Sequence, residues 1–369
     1  MIAVNRNRLL QLGVSLILCL LALADITPSI QAGEAKENVA LLKRDDLSRG
    51  YCEGLQLTED GQLTLSLTTD GYRKKGFFIS PSIEPEVEFT HLVPFWNATT
   101  PPGTKINIKA ELKVEGEWTR WINVATWRKV EPLTFSHNSP KVESIIDTLR
   151  VKTRKADKFK LLIELYSENQ DLAPSVRLIG ASYWKSSEKP RTTGAEVSSH
   201  LKDLEVPKES QFNEPASVAP LICSPTALSM VLQYYGKQVK PLEVARGVYD
   251  RGAEIYGNWA FNTAYAANLG LEAYVRYFPS IKGIKEEIAA DRPTVVSIAY
   301  GKGELEGSPT ESTSGHLVVV RGFLEKGDQE YVIVNDPAAK TDQSVRRTYR
   351  LDQFVSAWKG IGYVIKPLD

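Results

Sequence analysis

Cysteine is scarce in this sequence, with three in 369 residues, and histidine is nearly so, with four. Cys19 falls in the N-terminal apolar stretch, so a chain trimmed there keeps only Cys52 and Cys223. That is too few for a disulfide framework. The histidines are scattered at His91, His137, His200 and His316, with no paired ligand spacing, so no zinc site and no metal are expected. An excess of either charge is also lacking: 45 Lys plus Arg stand against 45 Asp plus Glu, without a long run of one sign. A nucleic-acid partner is therefore not indicated, and overall charge points to no charged partner at all. Repeats and low-complexity tracts are absent. Apart from the N-terminus, no segment is long and apolar enough to cross a bilayer.

What is present begins at that N-terminus. Arg6 and Arg8 precede an apolar run from Leu9 to Leu23, and small-residue exits follow at Ala22-Leu23-Ala24 or just after Ala32. This pattern predicts a secretory signal peptide over 1–32, with an uncleaved anchor as the alternative. Bulky Leu18 before Cys19 argues against a lipoprotein signal. The expected location is thus secreted or cell-envelope, outside the cytoplasm. In an oxidising compartment Cys52 and Cys223 could pair as an interdomain staple, or Cys223 could be a working thiol.

Residues 46–185 read as β-structure. Runs at 63–72, 86–96, 105–114 and 159–167 alternate apolar and polar residues, punctuated by turns such as Glu59-Asp60-Gly61 and Pro101-Pro102-Gly103. An antiparallel sandwich or jelly roll is expected. Trp96, Trp118, Trp121 and Trp127 fall here and suit either a core or a ligand platform. A polar stretch over 186–205 reads as a linker. Beyond it the period changes. Residues 223–236 form a buried-looking helix with Pro225 in its first turn and Gly236 at its stop. Helices at about 241–250, 260–269 and 281–290 precede strand-like runs at 293–300, 316–324, 331–336 and 362–367. Helices followed by antiparallel strands make the 206–369 region an α+β domain.

Chemistry concentrates in this second region. A thiol nucleophile needs a low pKa, a base beside it, and a group orienting the base. Cys223 opens a helix, whose N-terminal partial positive charge favours a thiolate. The bland alternative is a small buried hydrophobe. His316, the one histidine in this region, opens a strand after Ser314 and Gly315, and Asn335-Asp336-Pro337 ends the next strand. Asp336 could fix the imidazole tautomer, provided the two strands are neighbours with the right loop geometry. Otherwise His316 is a strand-edge residue and Asn-Asp-Pro an ordinary turn.

These stretches resemble family thirty-nine of the cysteine peptidases, the bacteriocin-processing type, in its free-standing exported branch. The resemblance runs through CSPTALSMVL (223–232), YGNWAFNTAYAANLG (256–270), SGHLVVVRGF (314–323), VNDPAA (334–339) and FVSAWKG (354–360). It implies a papain-like α+β domain with Cys223 as nucleophile, His316 as base, Asp336 as orienting group and Gln211 as oxyanion donor. Two positions depart from the pattern: Ser224 follows the cysteine where glycine is usual, and Gln211 lies twelve residues before it, farther than in transporter-linked members. FWNATTPPGT (95–104), EWTRW (117–121) and DTLRV (147–151) resemble the β-sandwich that often precedes this domain.

The implied activity is hydrolysis of peptide bonds through a thiol acyl-enzyme, with no cofactor. Tyr256, Asn258 and Trp259 are candidate cleft residues. A peptide or protein is the expected substrate. A peptidyl- or acyl-transferase using the same thiol is an alternative. So is an inactive surface protein whose β-domain recognises a cell-surface polymer.

Overall fold

The computed structural model describes residues 30–31, 38–187, 189–191 and 201–368. The expected signal peptide, apart from 30–31, and half of the expected linker, 188 and 192–200 including His200, lie outside these residues.

The N-terminal half is a two-sheet sandwich. Its principal strands are β1 (Val39–Lys43), β2 (Lys75–Ile79), β3 (His91–Thr99), β4 (Thr104–Val114), β5 (Ile122–Trp127), β6 (Thr148–Val151), β7 (Ala156–Ser167) and β8 (Ser175–Trp184). One sheet has the order β2-β7-β4-β5 at its centre, and the other β6-β3-β8-β1. Strand β4 shows the period-two rule plainly: Ile106, Ile108, Ala110, Leu112 and Val114 point into the core, and the residues between them are more exposed. The run expected over 63–72 is broken into short strands around the Thr69-Asp70 turn, and the run expected from 86 starts at His91.

The C-terminal half comprises helices α1 (Cys223–Tyr234), α2 (Pro241–Val248), α3 (Trp259–Asn268) and α4 (Ile281–Ala289), then α5 (Leu351–Ala357), around one sheet. Its strands are β9 (Leu271–Tyr277), β10 (Thr294–Tyr300), β11 (Thr313–Lys326), β12 (Gln329–Asn335), β13 (Arg346–Arg350) and β14 (Trp358–Pro367). They pair antiparallel in the order β9-β14-β10-β11-β12-β13. Residues 224–232 of α1 are all buried, as a helix wedged against the sheet requires. Gly236, at φ +78°, ends it, where a side chain would be strained. Gly322 on β11 admits a different contact: a Cβ there would lie 2.0 Å from the carbonyl oxygen of Lys202, so only glycine lets the incoming chain lie on the sheet.

The halves are packed tightly together. Strand β3 is buried over Leu92–Ala98, on both faces, because α3 and β9 cover its outer side. Trp96 and Trp127 are buried against Phe261 of α3, with ring centroids 6.1 and 5.5 Å away, so these two tryptophans are interface core. The Asn97 side chain bonds both the carbonyl and the N–H of Ala273 on β9, an edge strand thereby covered by the sandwich.

Candidate active site

Cys223 is the first residue of α1, preceded by Ile222, which offers no side-chain cap. The first helical N–H groups are therefore free to favour an anion. The N–H groups of Ser224 and Leu317 donate to the Cys223 sulfur. Two short helical turns, Gln211–Asn213 and Ala219–Leu221, fold the preceding chain back on itself.

His316 comes from β11 and Asp336 follows β12. The hairpin places Val319 opposite Asn335, and a bulge between Val320 and Gly322 adjusts the register. Both residues therefore lie at the end of the hairpin away from its turn, which supplies the geometry that spacing alone left open. His316 Nε2 lies 2.8 Å from Asp336 Oδ1 in a buried pair. This leaves Nδ1 for the thiol, and the imidazole and Cys223 are hydrogen-bonded.

Asp336 is fully buried and fully used. Oδ1 also accepts the N–H of Ala338 at 3.0 Å, and Oδ2 accepts the hydroxyl of Tyr349 at 2.8 Å. Burial opposes its charge, but His316, Tyr349 and the Ala338 N–H more than offset this and hold the carboxyl below its ordinary value. For His316, burial disfavours the cation, yet Asp336 and Cys223 together hold its pKa well above 6.5. For Cys223, enclosure pushes the thiol up, but the bond to His316, its charge, and the two backbone N–H groups bring it below 9.0. Opposite shifts in touching groups favour a thiolate–imidazolium pair.

Gln211 ties these parts together. Its Nε2 donates to the carbonyl of Ala219, four residues before the thiol, at 2.8 Å. Its backbone N–H donates to the carbonyl of Pro337, next to Asp336, at 2.9 Å. The second proton on Nε2 is uncommitted to Ala219, and such a donor suits a developing oxyanion.

The three candidate cleft residues have other surroundings. Asn258 is wholly buried: its Oδ1 caps α3 at the Phe261 N–H, and its Nδ2 donates to Asp250. It does not line a cleft. Buried Asp250 in turn accepts the N–H and hydroxyl of Thr134 from the sandwich, so this loop belongs to the interface between the halves. Trp259 is half-buried against the core, its N–H bonded to Asp147 of the sandwich. Tyr256 packs on Tyr249, with ring centroids 4.9 Å apart. Loop aromatics and an asparagine before a helix look alike in sequence whether they face a ligand or a neighbouring domain. Tyr349 and Asp147, by contrast, carried no motif signal for their contacts.

Cys52 and Cys223 are both free thiols, so no staple joins the halves. Among the described residues, no His/Cys/Asp/Glu cluster is arranged to hold a metal, and no helix is long and apolar enough to cross a membrane.

A helix-start cysteine facing a strand histidine, with helices packed on one antiparallel sheet, defines the papain-like cysteine peptidase fold. Residues 203–366 match the model of the Peptidase_C39 like family, and residues 37–183 match that of the Peptidase C39 N-terminal domain. Residues 203–366 are thus similar to the Peptidase_C39 like family, and the region ahead of them to the Peptidase C39 N-terminal domain. Among solved structures, the peptidase domain of Streptococcus ComA, a bi-functional ABC transporter involved in a quorum sensing pathway, is similar at 18% identity and TM-score 0.29, over 40% of this chain and 93% of that one. The C-terminal CBM6 of LamC from Zobellia galactanivorans is similar at 14% identity and TM-score 0.21, over 39% of this chain and 99% of the other. No curated protein matches the chain.

Proposed function

We propose that this chain is an exported cysteine peptidase or amidase that hydrolyses peptide bonds through Cys223, His316 and Asp336. The observation that carries the reading is the buried, fully bonded Asp336–His316 pair beside a thiol at a helix start. The Cys223 thiolate attacks the amide carbonyl, forming a C–S bond while the carbonyl π electrons move to oxygen. Gln211 Nε2 and the Cys223 N–H stabilise that oxygen. His316, protonated in the resting pair, gives its proton to the leaving nitrogen as the C–N bond breaks. Water, deprotonated by the now neutral His316, then attacks the thioester and releases the carboxylic acid and the Cys223 thiolate, with the proton taken from water left on His316, which restores the resting pair. Asp336 keeps the ring oriented throughout.

The export reading rests on the basic start and apolar run at residues 6–23. Peptides or proteins outside the cytoplasm are the corresponding substrates.

The test is the pH dependence of iodoacetamide alkylation at Cys223, in the native chain and in His316→Ala. Fast labelling below pH 7 that slows markedly in the variant supports the reading. An ordinary thiol profile in both proteins would overturn it.

A further inference from the structure

The overall charge balance conceals a local excess on the sandwich. A groove of about 710 Å³ is lined by Lys74, Lys75, Lys105, Arg128 and Lys129, with Glu131 and Glu168 as its acidic residues. A second hollow of about 360 Å³ shares Lys74, Lys75 and Tyr166 with it and adds Arg73. Its acids are Glu53 and Glu164, and Glu164 is bonded to Lys109, outside both hollows. Across the two, Arg128 and Glu131 pair with each other, and Glu131 also pairs with Arg251. Among the described residues, Arg73, Lys74, Lys75, Lys105 and Lys129 have no ion-pair partner, although Lys105 lies over the Tyr166 ring at 5.3 Å.

The arrangement is built by the sheet. Tyr166 on β7 is in register with Lys75 on β2 and with Lys105 on β4, so a lysine flanks the tyrosine on each side. The two lysine backbones are thus two strand spacings apart, about 10 Å. Loops at 101–103 and 128–131 raise the rim, bringing Pro101, Pro102 and Val130, the last 67% exposed. Three sequence-distant segments contribute the cations, and the longest basic run among them, Arg73-Lys74-Lys75, is too short to announce the cluster.

We propose that this groove binds a linear anionic polysaccharide bearing uronate groups. Alternating ring faces and carboxylates fit a floor of one tyrosine between two lysines, with prolines and a valine at the edge. Lysine ammonium groups act as point charges and suit carboxylates presented at variable angles along a flexible chain. The site is remote in chemistry from the thiol and stands whether or not the thiol is catalytic. It gives the protein a means of concentrating itself on an acidic glycan surface.

The experiment is affinity electrophoresis of the full chain through gels containing polygalacturonate, neutral dextran or poly-glutamate. The variants are the double substitution Lys75→Glu and Lys105→Glu, Tyr166→Ala, and Lys359→Glu as an exposed control of the same kind in the other half. Circular dichroism checks that each is folded. Retardation by polygalacturonate alone is expected, weakened at least tenfold in the double variant, reduced in Tyr166→Ala and unchanged in Lys359→Glu. No retardation by polygalacturonate, or equal retardation of the native chain and the double variant, overturns the proposal. Equal weakening by Lys359→Glu, or equal binding of poly-glutamate, overturns it too, since either reduces the effect to general charge attraction.

Discussion

Asp147, a residue of the sandwich, accepts the backbone N–H of Trp259 at 2.6 Å and of Ala260 at 3.1 Å, capping helix α3 of the other half. At the opposite end Arg177, also from the sandwich, donates to the carbonyl of Ala267 at 2.6 Å, and the Thr100 N–H donates to the Asn268 side chain. An acid at the N-terminus and a base at the C-terminus complement the helix dipole. Asp147 also lies close enough to Tyr363 for its charge to disfavour the phenolate there, and Tyr363 bonds Ser224 beside the thiol at 2.9 Å. The sandwich therefore forms the back wall of the papain-like half.

This contact predicts a pH dependence of stability. Burial pushes the Asp147 carboxyl from 3.8 up to about 6, although the two N–H groups favour its anion. A carboxyl with a raised folded pKa contributes most below its unfolded value and loses that contribution as pH rises through the folded one. The difference amounts to on the order of 3 kcal/mol. In Asp147→Asn this loss is absent, so native stability relative to the variant should fall between pH 4 and pH 6 and then level off. Urea unfolding of both proteins across that range measures it. A constant difference would show that Asp147 does not titrate there.

Tyr349 should matter more than its lack of sequence signal implies. Its hydroxyl is the hydrogen-bond partner of Asp336 Oδ2, and both residues are fully buried. Tyr349→Phe leaves a buried carboxylate oxygen unpaired, at a cost of about 1–3 kcal/mol. Asp336, now less favoured as the anion, should begin to protonate at a higher pH on acidification. Because protonation relieves the unpaired anion, denaturation midpoints at pH 7 and pH 4 would show a smaller deficit at the lower value.

The comparison of sequence with structure divides along physical lines. Cys223, His316 and Asp336 drew attention in the sequence because each sits at an element boundary, whereas Gln211 was singled out only through the family resemblance. Strand β9 was not, since all seven of its residues are buried and the expected alternation is lost. The sandwich covers its second face, a fact of tertiary packing. The same packing explains the GNW stretch at 257–259: it reads as a ligand loop, yet Asn258 and Trp259 serve the junction of the two halves. Tyr349 was missed because a single tyrosine in an edge strand has no local reason to meet an aspartate.

Activity on a peptide substrate should follow a bell-shaped pH profile. Cys223 ionises below 9.0 and His316 stays protonated well above 6.5. The acid limb therefore reports formation of the thiolate, and the alkaline limb loss of the imidazolium. Replacing Asp336 with Asn removes the charge that favours imidazolium, so the alkaline limb should move to lower pH. The kcat/KM profiles of the two proteins test this, and an unmoved limb would detach Asp336 from the histidine.

Gln211 offers the sharpest separation between building the nucleophile and using it. Its amide is anchored to Ala219 and its backbone to Pro337, but neither bond involves the sulfur or the imidazole. Loss of one oxyanion donor in a thiol or serine hydrolase costs about 10²–10³ in kcat. Gln211→Ala should therefore lower kcat by that order, while iodoacetamide, whose alkylation develops no oxyanion, labels Cys223 at a nearly native rate. Gln211→Glu puts an anion where negative charge must develop and should be slower still. A parallel fall in turnover and alkylation would mean that Gln211 instead holds the thiol in place.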